Sequence, residues 1–323
     1  MAERSTPLPL PGANAQVEQD LGFGRVLSEK HNYRLLNRDG TFNVRVEHTN
    51  PLNRIFSYHT FLNLTWPQFF LVFGTGYLLL NGLFALLYLA AGPKALIGDE
   101  VIAPFWRAFF FSVHTFATVG YGSISPVSSL ANAIVTAETL VGLMCFAVVT
   151  GLIFARFSRP VADIRYSSCA IVAPYLDKAA FEFRVVNGRP NQLINLEATV
   201  MLSRFEQEGG SRPRRFYQLK LERQKVALFP LNWTIVHPID ESSPLYGWTK
   251  EMLLDAEVEI AVLITAVDET FAQTVNSRAS YTAREIHFGR RFVLMYELAE
   301  RQIVMDLAKL DATEAAALPN VQS

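Results

Sequence analysis

Thr118-Val119-Gly120-Tyr121-Gly122 is the stretch that decides the fold of this 323-residue chain. An extended backbone whose successive carbonyls point into a narrow pore can replace the water shell of a monovalent cation, provided that four copies surround one axis. Gly120 and Gly122 suit such a backbone because glycine adopts left-handed dihedral angles freely. Thr118 can add a ring of hydroxyls, while Val119 and Tyr121 turn away and brace the backbone. The alternative is a glycine-rich turn that ends an apolar helix.

The apolar flanks of this pentapeptide favour a pore over a turn. Residues 105–117 are too few for the ~20 residues that cross a bilayer, so we expect a re-entrant pore helix there. No charged residue occurs at 66–91, which predicts an outer transmembrane helix. An inner helix is predicted at 130–157, where Glu138 is the only charge before the cytoplasmic end. The sequence thus predicts a pore domain at 66–157, with its filter at 118–122.

Composition indicates one membrane part and one soluble domain. The chain is 50% hydrophobic and only 18% charged, and its net charge of -1 predicts no nucleic-acid partner. Cys145 and Cys169 are the only cysteines, so we expect packed thiols and neither a disulfide framework nor a metal-binding cluster. The amino terminus lacks the basic-then-apolar layout of a cleaved signal, and insertion is therefore expected to depend on the internal spans.

Both termini are predicted to be cytoplasmic. Residues 1–52 form a polar N-terminal segment whose first 20 residues look flexible, and residues 53–65 alternate polar and aromatic residues at helical spacing. We expect an interfacial helix at 53–65, with a plain extension of the next span as the alternative. Arg156 and Arg159 lie at the end of the inner helix, so the positive-inside rule places that end and both termini in the cytoplasm. We expect a multi-pass protein of the cell (inner) membrane.

Beyond Pro160 the composition becomes that of a soluble all-β domain, predicted at 158–310. Short runs of β-forming residues are separated by Gly, Pro, Asn and Asp turns, which favours a sandwich of two immunoglobulin-like sheets. A short helix is expected at 249–255, and an Ala-rich flexible tail at 311–323. The predicted strands lie at 169–172, 180–186, 193–201, 215–221, 233–237, 257–267, 271–275 and 285–293.

Several motifs in the same order resemble the inward rectifier potassium channel family. TVGYG at 118–122 resembles the potassium selectivity filter, and HPIDESSPLYG at 237–247 closely resembles the family's cytoplasmic domain. Residues 36–40 and 43–44 resemble the start of its cytoplasmic assembly, where a short strand joins the carboxy-terminal domain. The loop before the pore helix has no cysteine, whereas animal members flank the filter with a disulfide. The resemblance therefore points to the prokaryotic (KirBac-type) branch.

This resemblance implies a homotetramer that conducts potassium passively through a central pore continuing into the cytoplasmic domains. It implies potassium ions at the filter and no other cofactor. Gly142 and Gly151 match glycines of the family's inner helix, and four copies of Phe154 could pinch the pathway. The alternative for Phe154 is a side chain that faces lipid or packs between helices. No nucleophile, base and orienting group occur at recognisable spacing, so we expect no enzyme.

Departures from the family pattern predict weak rectification. Strong rectifiers place an acid midway along the inner helix to hold polyamines, and that position here is Phe146. In the loop that narrows the cytoplasmic pore, the Glu-Gly-hydrophobic pattern corresponds to Thr265, Ala266 and Val267. Glu197 does match an acid of the cytoplasmic pore wall, with a plain surface Glu as the alternative. The acidic cluster expected before the HPID motif is replaced by a stretch that contains Arg223 and Lys225.

Two further sets of residues follow from the same resemblance. An acid behind the filter braces the pore helix, so His114 is a candidate hydrogen-bond partner for Glu138 or for nearby backbone. The alternative is a neutral Glu138 without a role in permeation. Arg156 and Arg159 match lipid-phosphate contacts, and prokaryotic relatives imply inhibition by phosphoinositides. Arginines that only set the topology remain the alternative.

Two other functions are compatible with parts of the sequence. A tetrameric cation channel gated by a small molecule would need a binding cradle, and no phosphate loop or cyclic-nucleotide motif is recognisable. A membrane-anchored β-sandwich adaptor would carry TVGYG without conducting. Rubidium flux separates the adaptor from the channel.

Overall fold

The structure, a computed structural model, describes residues 17–18, 34, 36–43, 58–158, 163–189, 192–207, 209, 212–229, 232–299 and 302–319. The chain forms two compact units. We call Val46–Arg159 the helical unit, and Met1–Arg45 together with Pro160–Ser323 the β unit.

The described elements are as follows. The helices are Tyr58–Asn63 (α1), Trp66–Ala90 (α2), Pro104–Phe116 (α3), Ser129–Phe157 (α4) and Lys250–Asp255 (α5). The strands are Val17–Glu18 (β1), Leu96–Ile97 (β2), Ser125–Pro126 (β3), Ile164–Tyr166 (β4), Ala170–Tyr175 (β5), Lys178–Asn187 (β6), Leu193–Phe205 (β7), Arg214–Gln218 (β8), Lys225–Leu228 (β9), Asn232–Ile239 (β10), Glu259–Asp268 (β11), Gln273–Thr282 (β12), Ile286–Phe288 (β13), Arg290–Phe292 (β14), Tyr296–Ala299 (β15), Gln302–Met305 (β16) and Thr313–Ala315 (β17).

The helical unit contains two long apolar helices with a short helix between them. By length and composition α2 and α4 are able to cross a membrane. Each helix bound lies within one residue of the expectation for the outer, pore and inner helices. This order confirms the predicted membrane fold class. The interfacial helix α1 is described from Tyr58, and residues 53–57 of that prediction lie outside the described residues.

Local sequence signals explain where the long helices begin. Thr65 precedes α2, and its backbone N–H donates to the side-chain oxygen of Gln68 at 3.0 Å. Pro67 occupies the first turn of α2, where its missing N–H costs nothing. At α4 the Ser128 hydroxyl accepts a hydrogen bond from the Ala131 N–H at 3.1 Å.

A small sheet brackets the loop that contains TVGYG. Strand β2 precedes α3 and pairs antiparallel with β3, which follows residues 118–122. Gly98, with a φ of 100°, lies against the Ser123 carbonyl, where a Cβ would collide with it. The segments entering and leaving the pore loop are therefore held side by side.

The β unit is a sandwich of two sheets. One sheet has the order β1-β8-β7-β11-β12, with β9 also paired to β7. The other has the order β10-β6-β5-β13, with β4 also paired to β6. Alternation along β11 buries Ile260, Val262 and Ile264 in the core between the sheets, which also takes Phe181 and Phe183 from β6. The two sheets confirm the predicted all-β class.

Several expectations about the β unit are wrong in detail. The strand expected at 271–275 lies later, in β12. The one expected at 285–293 is divided into β13 and β14 at Gly289, whose φ is 66°. The expected flexible tail is wrong for residues 311–319, because β17 pairs with β14. Residues 17–18, also expected to be flexible, form β1 on Phe216 and Tyr217.

The N-terminal segment is fastened to the β unit by side chains. The Leu36 N–H donates to Glu259 at 3.1 Å, and the Ser280 hydroxyl donates to the Leu36 carbonyl at 2.5 Å. Glu259 also forms a buried ion pair with Arg214 at 2.8 Å. Side chains thus occupy the backbone groups of Leu36. This region therefore contacts the carboxy-terminal domain, but the strand that joins its sheet is β1.

The outer face of the five-stranded sheet carries a buried arginine, Arg184, and a half-buried acid, Glu182. Arg184 is 5% exposed, and its guanidinium lies over the Phe292 ring at 4.5 Å. Burial raises the pKa of Glu182 to about 7, although nearby Arg184 opposes that rise. Burial also lowers the pKa of Arg184, to about 10.

Candidate functional site: the pore loop and its supports

The backbone of TVGYG alternates in handedness. Thr118, Gly120 and Gly122 have φ values of 56°, 60° and 77°, whereas Val119 and Tyr121 are not in the positive-φ region. In an ordinary strand successive carbonyls point to opposite sides. Left-handed angles at every second residue turn them towards the same side. A threonine in this region is strained, which is typical of functional sites.

The amides of the pore loop are directed towards the end of α3. The Val119 and Gly120 N–H groups donate to the His114 carbonyl at 2.8 and 3.3 Å. The Thr118 N–H donates to the Thr115 carbonyl at 3.0 Å. The last carbonyls of a helix lack partners within the helix, and the loop amides satisfy them here. The loop carbonyls therefore remain available to a cation.

His114 supports the loop through its ring as well as its carbonyl. Its imidazole meets the Tyr121 ring edge to face, with centroids 4.8 Å apart and an interplanar angle of 89°. Beyond this contact most of the Tyr121 side chain is exposed, at 74%, and Val119 is 48% exposed.

Glu138 is completely buried and binds to side chains other than His114. Its carboxyl group contacts the hydroxyls of Tyr88 from α2 and Ser112 from α3. Ser112 also lies 2.9 Å from the side-chain oxygen of Asn81. The proposed His114 partnership with Glu138 is therefore wrong. At residue 112 the pore helix faces α2 and α4, whereas His114 turns towards the loop.

The two inner-helix glycines have different surroundings. A Cβ on Gly142 would lie 2.9 Å from the Phe116 carbonyl oxygen, so the pore helix rests directly on this residue. A Cβ on Gly151 would meet nothing within 4 Å. Phe146 and Phe154 are 75% and 72% exposed, which leaves both side chains free to face a pathway or a neighbour.

Arg156 joins α4 to the end of the interfacial helix. Its guanidinium donates to the carbonyls of Phe61 at 3.0 Å and Leu64 at 2.7 Å. It also lies over the rings of Trp66 at 4.4 Å and Phe69 at 4.7 Å. Arg156 thus supplies a C-terminal cap for α1. Arg159 lies outside the described residues.

A row of polar residues crosses the open face of the six-stranded sheet. Glu197 is paired in register with Lys225 on one side and Thr265 on the other. The Lys225 ammonium lies 3.1 Å from the Glu197 carboxylate. Thr265, Ala266 and Val267 belong to β11 and not to a loop, with a register shift between Thr265 and Val267. The Ala266 side chain is fully buried and does not reach the open face of the sheet.

Comparisons with known proteins assign the family. A family model described as "Inward rectifier potassium channel C-terminal domain" matches residues 164–323, and one described as "Ion channel" matches residues 68–159. The inward rectifier potassium channel Kirbac3.1 of Paramagnetospirillum magnetotacticum is 40% identical over 281 residues, covering 85% of this chain and 94% of the relative. The chain belongs to the inward rectifier potassium channel family.

One more distant relative and one solved structure also show similarity to this chain. Human inward rectifier potassium channel 4 is 28% identical over 314 residues, covering 84% of this chain and 70% of the relative. Among solved structures, OgpA from Akkermansia muciniphila reaches a TM-score of 0.18 at 7% identity, covering 39% of this chain and 29% of that one. Similarity at that level carries no structural argument.

The partners of the buried acid Glu138 and of the exposed acid Glu197 were not predicted from the sequence of this inward rectifier. Asn81 and Tyr88 are seven residues apart in α2, a spacing that places both on one face of a helix. That spacing was the available signal for a polar contact inside the pore domain. Nothing local connects Lys225 to Glu197, since strand register alone brings them together.

The packing of α3 on Gly142 generates a prediction. Gly142→Ala should lower the thermal unfolding midpoint of the detergent-solubilised channel, because forcing a methyl group against the Phe116 carbonyl costs about 1–3 kcal/mol. Gly151→Ala, in the same helix, should keep or raise the midpoint, because alanine favours a helix over glycine by about 1 kcal/mol. Equal midpoints for the two variants would show that the pore helix does not rest on Gly142.

Proposed function

We propose that four copies of this chain form a passive, potassium-selective channel of the inward rectifier type. The observation that carries the proposal is the alternating backbone of residues 118–122. The amides of residues 118–120 donate to carbonyls of α3, while the carbonyls of the loop remain available. A dehydrated potassium ion needs oxygens on every side, and one chain supplies them from only one side. A homotetramer around the loop completes the site.

The remaining pathway is assigned by the exposed residues of the inner helix. Phe146 lines the cavity below the filter, and Phe154 forms the narrowest ring near the cytoplasmic end, where aromatic side chains can exclude water. Gly151, with no close neighbour for a Cβ, gives α4 freedom to bend. The channel lies in the cell (inner) membrane, and both termini are cytoplasmic because Arg156 and Arg159 lie at the end of the inner helix.

Rectification is weak in this proposal. Phe146 provides no charge for a polyamine in the cavity, and Thr265 provides none in the cytoplasmic pore. Glu197 is the remaining acid, and its ion pair with Lys225 offsets its charge. Both side chains are exposed, at 49% for Glu197 and 70% for Lys225, so solvent weakens the attraction between them. The positive charge of Lys225 still reduces the attraction of Glu197 for a passing cation.

Anionic lipids inhibit the channel in this proposal. Arg159 and the guanidinium edge of Arg156 that α1 does not use attract headgroup phosphates at the cytoplasmic interface. Because Arg156 also caps α1, a phosphoinositide bound there is coupled to the interfacial helix and the inner helix together.

The filter assignment predicts the effect of a single glycine substitution. Gly120→Ala should abolish rubidium flux into potassium-loaded liposomes, because alanine is strained at the left-handed angle that Gly120 adopts. Gly76→Ala, at a helical position in α2 where a Cβ meets nothing within 4 Å, is the matched control and should conduct normally. Selective potassium conduction by a folded, tetrameric Gly120→Ala protein would refute the filter, and absent flux in the unmodified protein would favour the adaptor.

The charge pattern predicts how spermine acts. Cytoplasmic spermine should block the unmodified channel weakly in planar bilayers at symmetric potassium. Phe146→Asp should produce strong voltage-dependent block, because four carboxylates would face the cation in a medium that screens poorly. Phe146→Leu should behave like the unmodified protein.

Two variants in the β8–β9 region act as controls for the cytoplasmic part of this prediction. Lys225→Gln exposes the Glu197 charge and should strengthen spermine block modestly. Arg223→Gln removes one positive charge from the same region but leaves the ion pair between Lys225 and Glu197 intact. It should therefore change spermine block less than Lys225→Gln does. Strong block of the unmodified protein would contradict the charge argument.

The lipid assignment predicts a decrease in flux. Rubidium uptake should fall as phosphatidylinositol bisphosphate is added to the liposomes, and Arg159→Gln should weaken that inhibition. Arg107→Gln, at the opposite end of the helical unit, should leave it unchanged. Flux that increases steadily with the phosphoinositide would overturn the assignment.

A further inference from the structure

Four polar side chains from three helices form a buried cluster behind the pore loop. They are Asn81 and Tyr88 of α2, Ser112 of α3 and Glu138 of α4, and none is more than 1% exposed. Among the described residues, no Lys, Arg or His forms an ion pair with Glu138. A buried carboxylate without a positively charged partner is costly. The hydrogen bonds of the cluster therefore have to show whether Glu138 is ionised or protonated.

One end of the cluster has a fixed direction. The Asn81 side-chain NH2 donates to the Tyr77 carbonyl at 2.8 Å, which is possible in only one orientation of the amide. The amide oxygen of Asn81 therefore faces the Ser112 hydroxyl, at 2.9 Å. An amide oxygen can only accept, so the single hydroxyl proton of Ser112 lies between Ser112 and Asn81.

The contact between Ser112 and Glu138 is then left without a proton. The Tyr88 hydroxyl donates its proton to Oε2 of Glu138. The Ser112 oxygen also lies within hydrogen-bond distance of Oε1 of Glu138, but its own proton is directed to Asn81. With an ionised carboxylate, two oxygen lone pairs would face each other there. A proton on Oε1 satisfies this contact and every other contact in the cluster.

We propose that Glu138 is protonated and acts as a positioning residue for the selectivity filter. Its O–H donates to Ser112, giving a directed chain from Tyr88 through Glu138, Ser112 and Asn81 to the Tyr77 carbonyl. The chain fixes the pore helix at Ser112, two residues before the carbonyl of His114 that receives the filter amides. The positioning role rests on the proposed function, whereas the protonation does not.

Infrared spectroscopy of the reconstituted channel tests the protonation directly. In alkaline buffer the unmodified protein should show a protonated-carboxyl C=O band that Glu138→Gln removes. Glu182, whose pKa is about 7, is ionised under those conditions and does not contribute. Absence of a band that depends on Glu138 would overturn the protonation, whether or not the protein conducts potassium.

Ion selectivity tests the positioning role. Glu138→Gln keeps a donor towards Ser112 and an acceptor towards Tyr88, so rubidium-over-sodium selectivity should remain close to that of the unmodified channel. Glu138→Leu has a similar size but leaves the Tyr88 hydroxyl without its acceptor, while Ser112 keeps only its hydrogen bond to Asn81. The selectivity of this variant should fall roughly tenfold, the factor that one unsatisfied buried polar group implies. Leucine with unchanged selectivity would overturn the positioning role, as would glutamine that fails as badly as leucine.

Two further measurements guard against misfolding and against other titrating groups. Ser112→Ala breaks the same chain from α3, so if Glu138→Leu does not assemble, Ser112→Ala should still lower selectivity in a tetramer.

Selectivity should not vary with pH between neutral and alkaline buffer. The other titratable groups facing the cluster are Tyr77 and Tyr88 on α2, and His114 on α3 turns away towards Tyr121. A loss of selectivity on raising the pH that Glu138→Gln removes would contradict a proton held throughout.

Discussion

The hydrogen bonds from the Val119 and Gly120 amides to the His114 carbonyl are the interaction on which the rest of the pore depends. A peptide group offers its carbonyl to an ion only if its neighbours' N–H groups find partners elsewhere, because an unpaired buried amide is costly. The C-terminal carbonyls of a short helix provide those partners. Helix α3 therefore contributes directly to the conformation of residues 118–122 and does more than connect the two long helices.

That helix must be held in place, and most of the helical unit contributes to holding it. Gly142 allows the end of α3 to approach α4 closely, and the Glu138 cluster ties α3 to both long helices. The β2–β3 pair joins the segments on either side of the loop. In each case the contact is made within one chain, so a single chain is able to hold α3 in place.

The sequence was sufficient to predict features that depend on local pattern. TVGYG, the uncharged run at 66–91 and the alternating strands of the β unit depend on period and composition. The ends of α2, α3 and α4 were predicted to within one residue. Features that depend on tertiary partners were not predictable. His114 was chosen for Glu138 by its place in the pore helix, whereas Tyr88, 50 residues away, is the residue that packing brings there. The tail was mistaken for the same reason, since β17 is a strand only because β14 lies beside it.

The cap that Arg156 places on α1 has a consequence for the timing of folding. The two carbonyls that it satisfies belong to residues 92 and 95 positions earlier in the chain. At typical rates of protein synthesis, α1 emerges on the order of ten seconds before the arginine that completes it. During that interval water or lipid headgroups must occupy those carbonyls. Helix α1 is thus made before both long helices and is completed only with the last turn of α4.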